Sequence, residues 1–228
     1  MMDRRISVAI DGPAGAGKST VAKGVAKKLG LIYVDTGALY RTLGYHIHML
    51  GIGPKDTDGV KRLLPDAMIE IRYAEDGSQR MILNGADVTG ELRTPTMSDY
   101  ASKLSALPMV REFLLEQQRE MAEKYSVIMD GRDIGTVVLP NADVKIFLTA
   151  DPEVRAARRL AEMQEKGDKK ATLASVLAEM KERDERDSHR KVAPLKQADD
   201  AELLDTTGMS LDEVIEAVLN MIKRKLDA

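Results

Sequence analysis

Residues Ile6 to Thr20 read ISVAIDGPAGAGKST. A short β-branched run, Ile6 to Ile10, gives way to Gly12-Pro-Ala-Gly-Ala-Gly-Lys-Ser19 and then to a helical pattern. Strand, G-x-x-x-x-G-K-S, helix is the context in which this spacing marks a phosphate-binding loop. Glycines let the backbone curl until successive N–H groups share one concavity. The following helix adds the positive end of its dipole. Gly12, Pro13, Ala14, Gly15, Ala16, Gly17, Lys18, Ser19 and Thr20 are therefore expected to hold the phosphates of a nucleoside triphosphate. Lys18 should reach its β- and γ-phosphates, and the Ser19 hydroxyl should be a ligand for Mg²⁺.

Outward from the loop, further apolar runs predict strands at Leu31–Val34, Val127–Met129, Val144–Leu148 and Glu202–Leu204. Helical patterns fill the gaps. One follows Thr36, read as an N-cap, to about Leu50; one spans about Val110 to Lys124. Another opens at Asp151-Pro152, and the last opens on the capping box Ser210-Leu-Asp-Glu213. Alternation of strand and helix predicts an α/β fold with a five-stranded, mostly parallel sheet flanked by helices. Met68 to Gly90 breaks the pattern: apolar and polar residues alternate around a Gly-containing turn, as in an antiparallel hairpin. Residues of about 60–100 are expected to be an insertion, and about 151–170 a helical lid. The core is then about 1–59, 101–150 and 171–228.

Composition bounds the function. The 228 residues carry 43% hydrophobic and 31% charged residues, with net charge -3. That balance suits a globular domain and does not point to nucleic acid. The chain has no cysteine, which removes disulfides and thiolate metal sites. No run approaches a membrane span, and the N-terminal stretch predicts no secretory leader, so a cytoplasmic protein is expected. A monomer is expected because no long apolar stripe is left unassigned.

A phosphate loop implies a nucleoside triphosphate but not its use. The chain has neither the N-K-x-D motif of a GTPase nor an L-S-G-G-Q-like transporter signature. A small-molecule kinase fits better. The second strand runs into VDTGALYR, Val34 to Arg41, and the third into VIMDGRDIG, Val127 to Gly135. Both end at the sheet edge where open α/β folds bind ligands. Asp130 follows three apolar residues, as an acid does that holds Mg²⁺ through water or positions the phosphate loop. Arg132 and Asp133 crowd the adjacent glycine turn. In KERDERDSHRK, Lys181 to Lys191, the stripe Leu173, Val176, Leu177 and Met180 continues onto Arg183, Asp187 and Arg190 at helical spacing, with Arg186 on the same arc. Arg155, Arg158 and Arg159 share one side of the helix opened by Asp151-Pro152, which reads either as a solvated helix or as a lid that closes on ATP and excludes water. Arg158 and Arg155 are the first choices there, with Lys166 to Lys170 as the lid's exit. His46, His48 and His189 show no triad or metal spacing and read as packing or surface residues.

Taken together, Gly12 to Ser19, Asp35 to Arg41, Asp130 to Gly135 and Glu182 to Asp187 make the chain similar to the bacterial cytidylate (CMP/dCMP) kinases, P-loop nucleoside monophosphate kinases. Gly85 to Thr94, GADVTGELRT, resembles the insertion of that family. The resemblance covers nearly the whole chain. It implies ATP-dependent phosphorylation of CMP and dCMP on a three-layer P-loop kinase fold, with a small antiparallel substrate-binding region and a lid. It also implies that Arg41, Arg132 and Arg190 grip the acceptor phosphate. Ser102, Arg111 and Asp133 would read cytosine, and Arg183 and Asp187 would sense the sugar. Thr36, Tyr40 and Asp130 complete the expected acceptor site, and Lys18, Arg132, Arg158 and Arg190 the expected catalytic set. The acceptor phosphate is largely dianionic near neutral pH and needs no general base. Two other readings stay open: a kinase for another small molecule, and a nucleotide sensor without catalysis.

Overall fold

The computed structural model describes residues 5–165 and 167–227. In chain order the elements are β1 (Ser7–Asp11), α1 (Lys18–Leu29), β2 (Ile32–Asp35), α2 (Thr36–Met49), α3 (Thr57–Leu63), β3 (Ile69–Tyr73), β4 (Gln79–Leu83), β5 (Ala86–Asp87), α4 (Pro95–Leu104), α5 (Pro108–Lys124), β6 (Val127–Gly131), β7 (Val144–Thr149), α6 (Pro152–Glu165), α7 (Leu173–His189), β8 (Glu202–Asp205) and α8 (Leu211–Leu226). Among the described residues, five strands form a parallel sheet in the order β2-β6-β1-β7-β8.

The centre of the sheet, β6 and β1, is buried on both faces, as parallel sheets are, while the edge strand β8 leaves Leu203 exposed. Val8 and Ile10 point with Val144, Ile146 and Leu148 into a core closed by α1 and α8 through Val21, Val25, Val214 and Val218. Ala9, Val34, Val127 and Met129 face the other side, against Ile134 and Val138 and against Leu115 and Met121 of α5. The strand period of two thus feeds two cores from one run. Register sets the site. Asp35 lies beside Asp130, Ile10 beside Asp130 and Asp11 beside Gly131, so three strands end side by side.

The Met68 to Gly90 alternation folds as the antiparallel sheet β3-β4-β5. Met81, Leu83, Leu92 and Val60 pack it onto Leu39, Leu43 and Ile47 of α2 and Leu104 of α4. A fourth cluster joins α6 and α7 through Ala156, Val176 and Met180, with Ala14 of the phosphate loop.

Three local expectations need correction. The N-cap of α2 is Asp35, whose carboxylate accepts from Ala38 N at 2.9 Å; Thr36 is already helical and turns its hydroxyl to Asp130 O at 2.8 Å. Leu173 does not continue the buried stripe of α7: as the first residue after the cap Thr172 it is 44% exposed. The helix also stops at His189. Arg190 is extended, at φ −65 and ψ 141, so helical spacing does not place it. Of the expected lid exit, Lys166 lies outside the described residues.

Candidate active site

The phosphate loop is held open by backbone that only glycine fits. Gly12 has φ 148, and a Cβ there would stand 1.9 Å from Leu148 O. Gly17, at φ 86, is the left-handed N-cap of α1 and leaves that helix's first N–H groups without a side-chain cap. They face the cleft as an anion site. Lys18 is 6% exposed and donates Nζ–H to Pro13 O at 2.7 Å. Burial, reinforced by Arg132, pulls its pKa well below the usual lysine value, against the pull of Asp130. An anion in the cleft would relieve that penalty.

Asp130, at the end of β6, organises both sides of the site. Its Oδ2 accepts from Ser19 Oγ at 2.8 Å and its Oδ1 from Tyr33 OH at 2.8 Å. Thr36 holds its carbonyl. Burial, then the neighbouring Asp35, raises its pKa despite Lys18. A hydroxyl backed by a carboxylate is a hard oxygen pair suited to Mg²⁺.

Beyond the glycine turn lies a network of arginines and carboxylates. Arg41 Nη2 is 2.7 Å from Asp35 Oδ2, and Arg93 Nη2 is 3.5 Å from the same oxygen. Burial raises the Asp35 pKa, but Arg41 and Arg93 bring it below its ordinary value. Asp187 accepts from Ser102 Oγ and Arg132 Nε, each at 3.1 Å, while Arg183 Nε stands off at 3.9 Å. Burial pushes Asp187 up; Arg132, Arg183 and Arg190 together pull it lower. Arg183 itself falls to about 10, chiefly by burial and then by Arg132 beside it. Asp133 pairs with Arg111 through Oδ2 and with Arg190 at 3.3 Å through Oδ1; burial still keeps its pKa raised. Arg111 also lies 5.9 Å over the Tyr40 ring, and Arg190 Nη1 meets Ser105 Oγ at 3.0 Å.

One cleft brings together Ala14, Gly15, Gly17, Lys18, Ser19 and Thr20 with Thr36, Tyr40, Arg41, Ser102, Arg111, Asp130, Arg132, Asp133, Arg183, Asp187 and Arg190. Gly12, Pro13 and Ala16 shape the loop behind it. The lid arginines are placed differently from the expectation. Arg155 is buried on Ala14 O and Asp184, and Arg158 is bound to Thr206; neither lines the cleft. Arg159 does, 3.0 Å from Glu162. Spacing groups the three arginines on one side but cannot rank them. Sequence reasoning also missed Arg93 and Ser105, which line the cleft. Arg93 lies inside the GADVTGELRT segment, so its position there was a signal; Ser105 had none. Arg186 sits off the cleft beside Asp99, 3.6 Å away. His46 is buried, whereas His48 stacks edge-on to Tyr100 and His189 is exposed.

Comparison with known proteins finds similarity over nearly the whole chain. The sequence model of the family described as cytidylate kinase matches residues 8–224. A protein of Solibacter usitatus described as cytidylate kinase is 49% identical over 224 residues, covering 98% of this chain and 94% of the relative. One of Lactobacillus johnsonii, described in the same way, is 48% identical over 220 residues, covering 96% and 95%. The crystal structure of an uncharacterized protein from Eubacterium ventriosum shares the fold, with a TM-score of 0.54 at 15% identity over 97% of this chain and 99% of that one.

Proposed function

The chain belongs to the cytidylate kinase family, and we propose how its cleft performs that family's reaction, the reversible phosphorylation of CMP and dCMP by ATP to CDP and dCDP. It is a nucleoside monophosphate kinase. The observation that carries the assignment of roles is the Ser19–Asp130–Thr36 chain of hydrogen bonds, which joins the phosphate loop to the first turn of the acceptor-side helix.

Two polyanions must meet for the reaction to occur, so positioning and positive charge dominate. The loop from Gly12 to Thr20 cradles the ATP phosphates, with Lys18 on the transferring group. Arg41, Arg132 and Arg190 take the acceptor phosphate, and Arg93 joins them from the inserted region of about 60–100. Ser102, Arg111 and Asp133 read the base. Cytosine offers an N4 amine that a carboxylate accepts, whereas uracil presents a carbonyl it repels. Arg183 and Asp187 face the sugar. The lid of about 151–170 closes over ATP and sheds water, and Arg159 is its arginine that lines the cleft. Ser19 would hold Mg²⁺ with ATP oxygens and waters, and Asp130 would orient that hydroxyl; bound there, the ion supplies charge neutralisation. Among the described residues no helix is long and apolar enough to cross a membrane. We place the enzyme in the cytoplasm as a monomer.

The test is coupled ADP release with CMP, dCMP, UMP and AMP as acceptors. CMP and dCMP should turn over well above the others. ADP release at background with both would overturn the reading.

A further inference from the structure

Ala14 sits mid-loop, and its peptide groups are held from both sides by lid-side helices. Its N–H donates to Asp184 Oδ1 at 3.0 Å, and its carbonyl accepts from Arg155 Nη1 at 2.8 Å. Arg155 and Asp184 close the ring at 2.6 Å, and Arg155 Nε holds Ala150 O, just beyond β7, at 2.9 Å. Arg155 is 6% exposed, and Val176 and Met180 pack beside Ala14. An arginine buried this deeply forms a fixed brace, because its charge is costly without partners. Asp184 stands between Arg183 and Asp187, the two α7 residues that line the acceptor side of the cleft.

We propose that Asp184, braced by Arg155, is a positioning residue that fixes the Ala14 peptide and makes the phosphate loop and the acceptor-contacting face of α7 one body. This rests on the division of donor and acceptor sites given above. Displacing α7 by an acceptor moves Asp184, and Asp184 carries the Ala14 peptide and the loop N–H groups that follow it. Donor and acceptor affinities are then coupled, and coupling between two ligands is reciprocal.

The experiment titrates the full chain and its Asp184→Asn and Asp184→Ala variants with a non-hydrolysable ATP analogue, with and without saturating CMP, and with CMP alone. Asparagine keeps an acceptor for Ala14 N–H but loses the charge on Arg155; alanine loses both. Wild type should bind the analogue at least about fivefold tighter with CMP present. In Asp184→Asn that factor should fall below about twofold, and affinity for the analogue alone should drop about tenfold, as for loss of a charged hydrogen bond. CMP affinity without analogue should stay within about twofold of wild type. Asp184→Ala should be worse for the analogue; if it does not fold, Asp184→Asn carries the test, with its thermal melt as the check. Unchanged analogue affinity and unchanged coupling in Asp184→Asn overturn the proposal. So does an equal loss of analogue and CMP affinity, which marks a merely structural ion pair. A wild type that fails to phosphorylate CMP sinks the functional reading instead, and the analogue titration without CMP still judges the Ala14 brace.

Discussion

Asp133 shows what a single carboxylate does in a cleft of arginines. Burial raises its pKa, and Arg111 and Arg190 keep it useful as an anion by pairing with its two oxygens. Replacing it with alanine frees both arginines and removes the group that favours an amine over a carbonyl. Asp133→Ala should therefore lower kcat/KM for CMP more than for UMP. An unchanged CMP-to-UMP ratio would remove Asp133 from base selection. Asp11 makes the pH argument. Its oxygens accept from Ile134 N at 2.8 Å and Gly135 N at 2.7 Å, which anchors the turn that follows Asp133. Burial outweighs those bonds and lifts its pKa from 3.8 to about 6. Between those values the folded protein holds a proton that the unfolded chain has released. The stability from this group is full below about pH 4 and lost as pH rises through about 6, a change of roughly 3 kcal/mol. In urea titrations, wild type should lose stability relative to Asp11→Asn over that window; a flat difference refutes the raised pKa. At this scale the sequence showed which residue types crowd the strand ends. It could not show their pairings, because Arg111 comes from α5 and Arg190 from beyond α7, and only tertiary packing brings both to Asp133.

At the scale of elements, periodicity was legible wherever an element had one buried face. The alternation from Met68 to Gly90 and the strand–loop–helix at Ile6 to Thr20 both folded as their patterns predict. The two-residue strand β5 has too few residues to show a period. The charged face of α7 was readable up to Asp187. It failed at Arg190, where the chain leaves the helix and a loop, rather than helical phase, carries the guanidinium to Asp133. What sequence could not reveal at all is how the inserted sheet is fastened. Gln79, the first residue of β4, accepts from Asp35 N at 2.8 Å, and Tyr73 OH donates to Tyr33 O at 3.0 Å. These contacts pin the sheet to the end of β2, beside Arg41. Gln79→Ala should loosen that joint and raise KM for CMP by about fivefold, the worth of one neutral hydrogen bond, with KM for ATP unchanged. A parallel rise in both KM values would assign Gln79 to general stability.

For the molecule as a whole, three strand ends and the helices around them deliver charge to one opening. Lys18, Arg41, Arg93, Arg111, Arg132, Arg159, Arg183 and Arg190 all line it, and the carboxylates facing them do not match them in number. Burial lowers the pKa of Lys18, Arg183 and Arg190, so the free protein pays for carrying its substrate site. The fold tolerates this because the two sheet cores and the α2 cluster supply apolar burial beneath and beside the cleft. A ligand with phosphate should recover what the cations cost. Binding to the folded state alone adds about 2.7 kcal/mol at a hundred times Kd. For a chain of 228 residues that corresponds to a rise in Tm of about 5–10 °C. CMP at that saturation should give such a rise in a thermal melt. Cytidine offers the same base and sugar without the phosphate that Arg41, Arg132 and Arg190 are assigned to hold. At the same concentration it should shift Tm by less than about 2 °C. If cytidine matched CMP, the arginine cluster would not be the acceptor-phosphate site, and the cleft's excess of positive charge would need another anion to explain it.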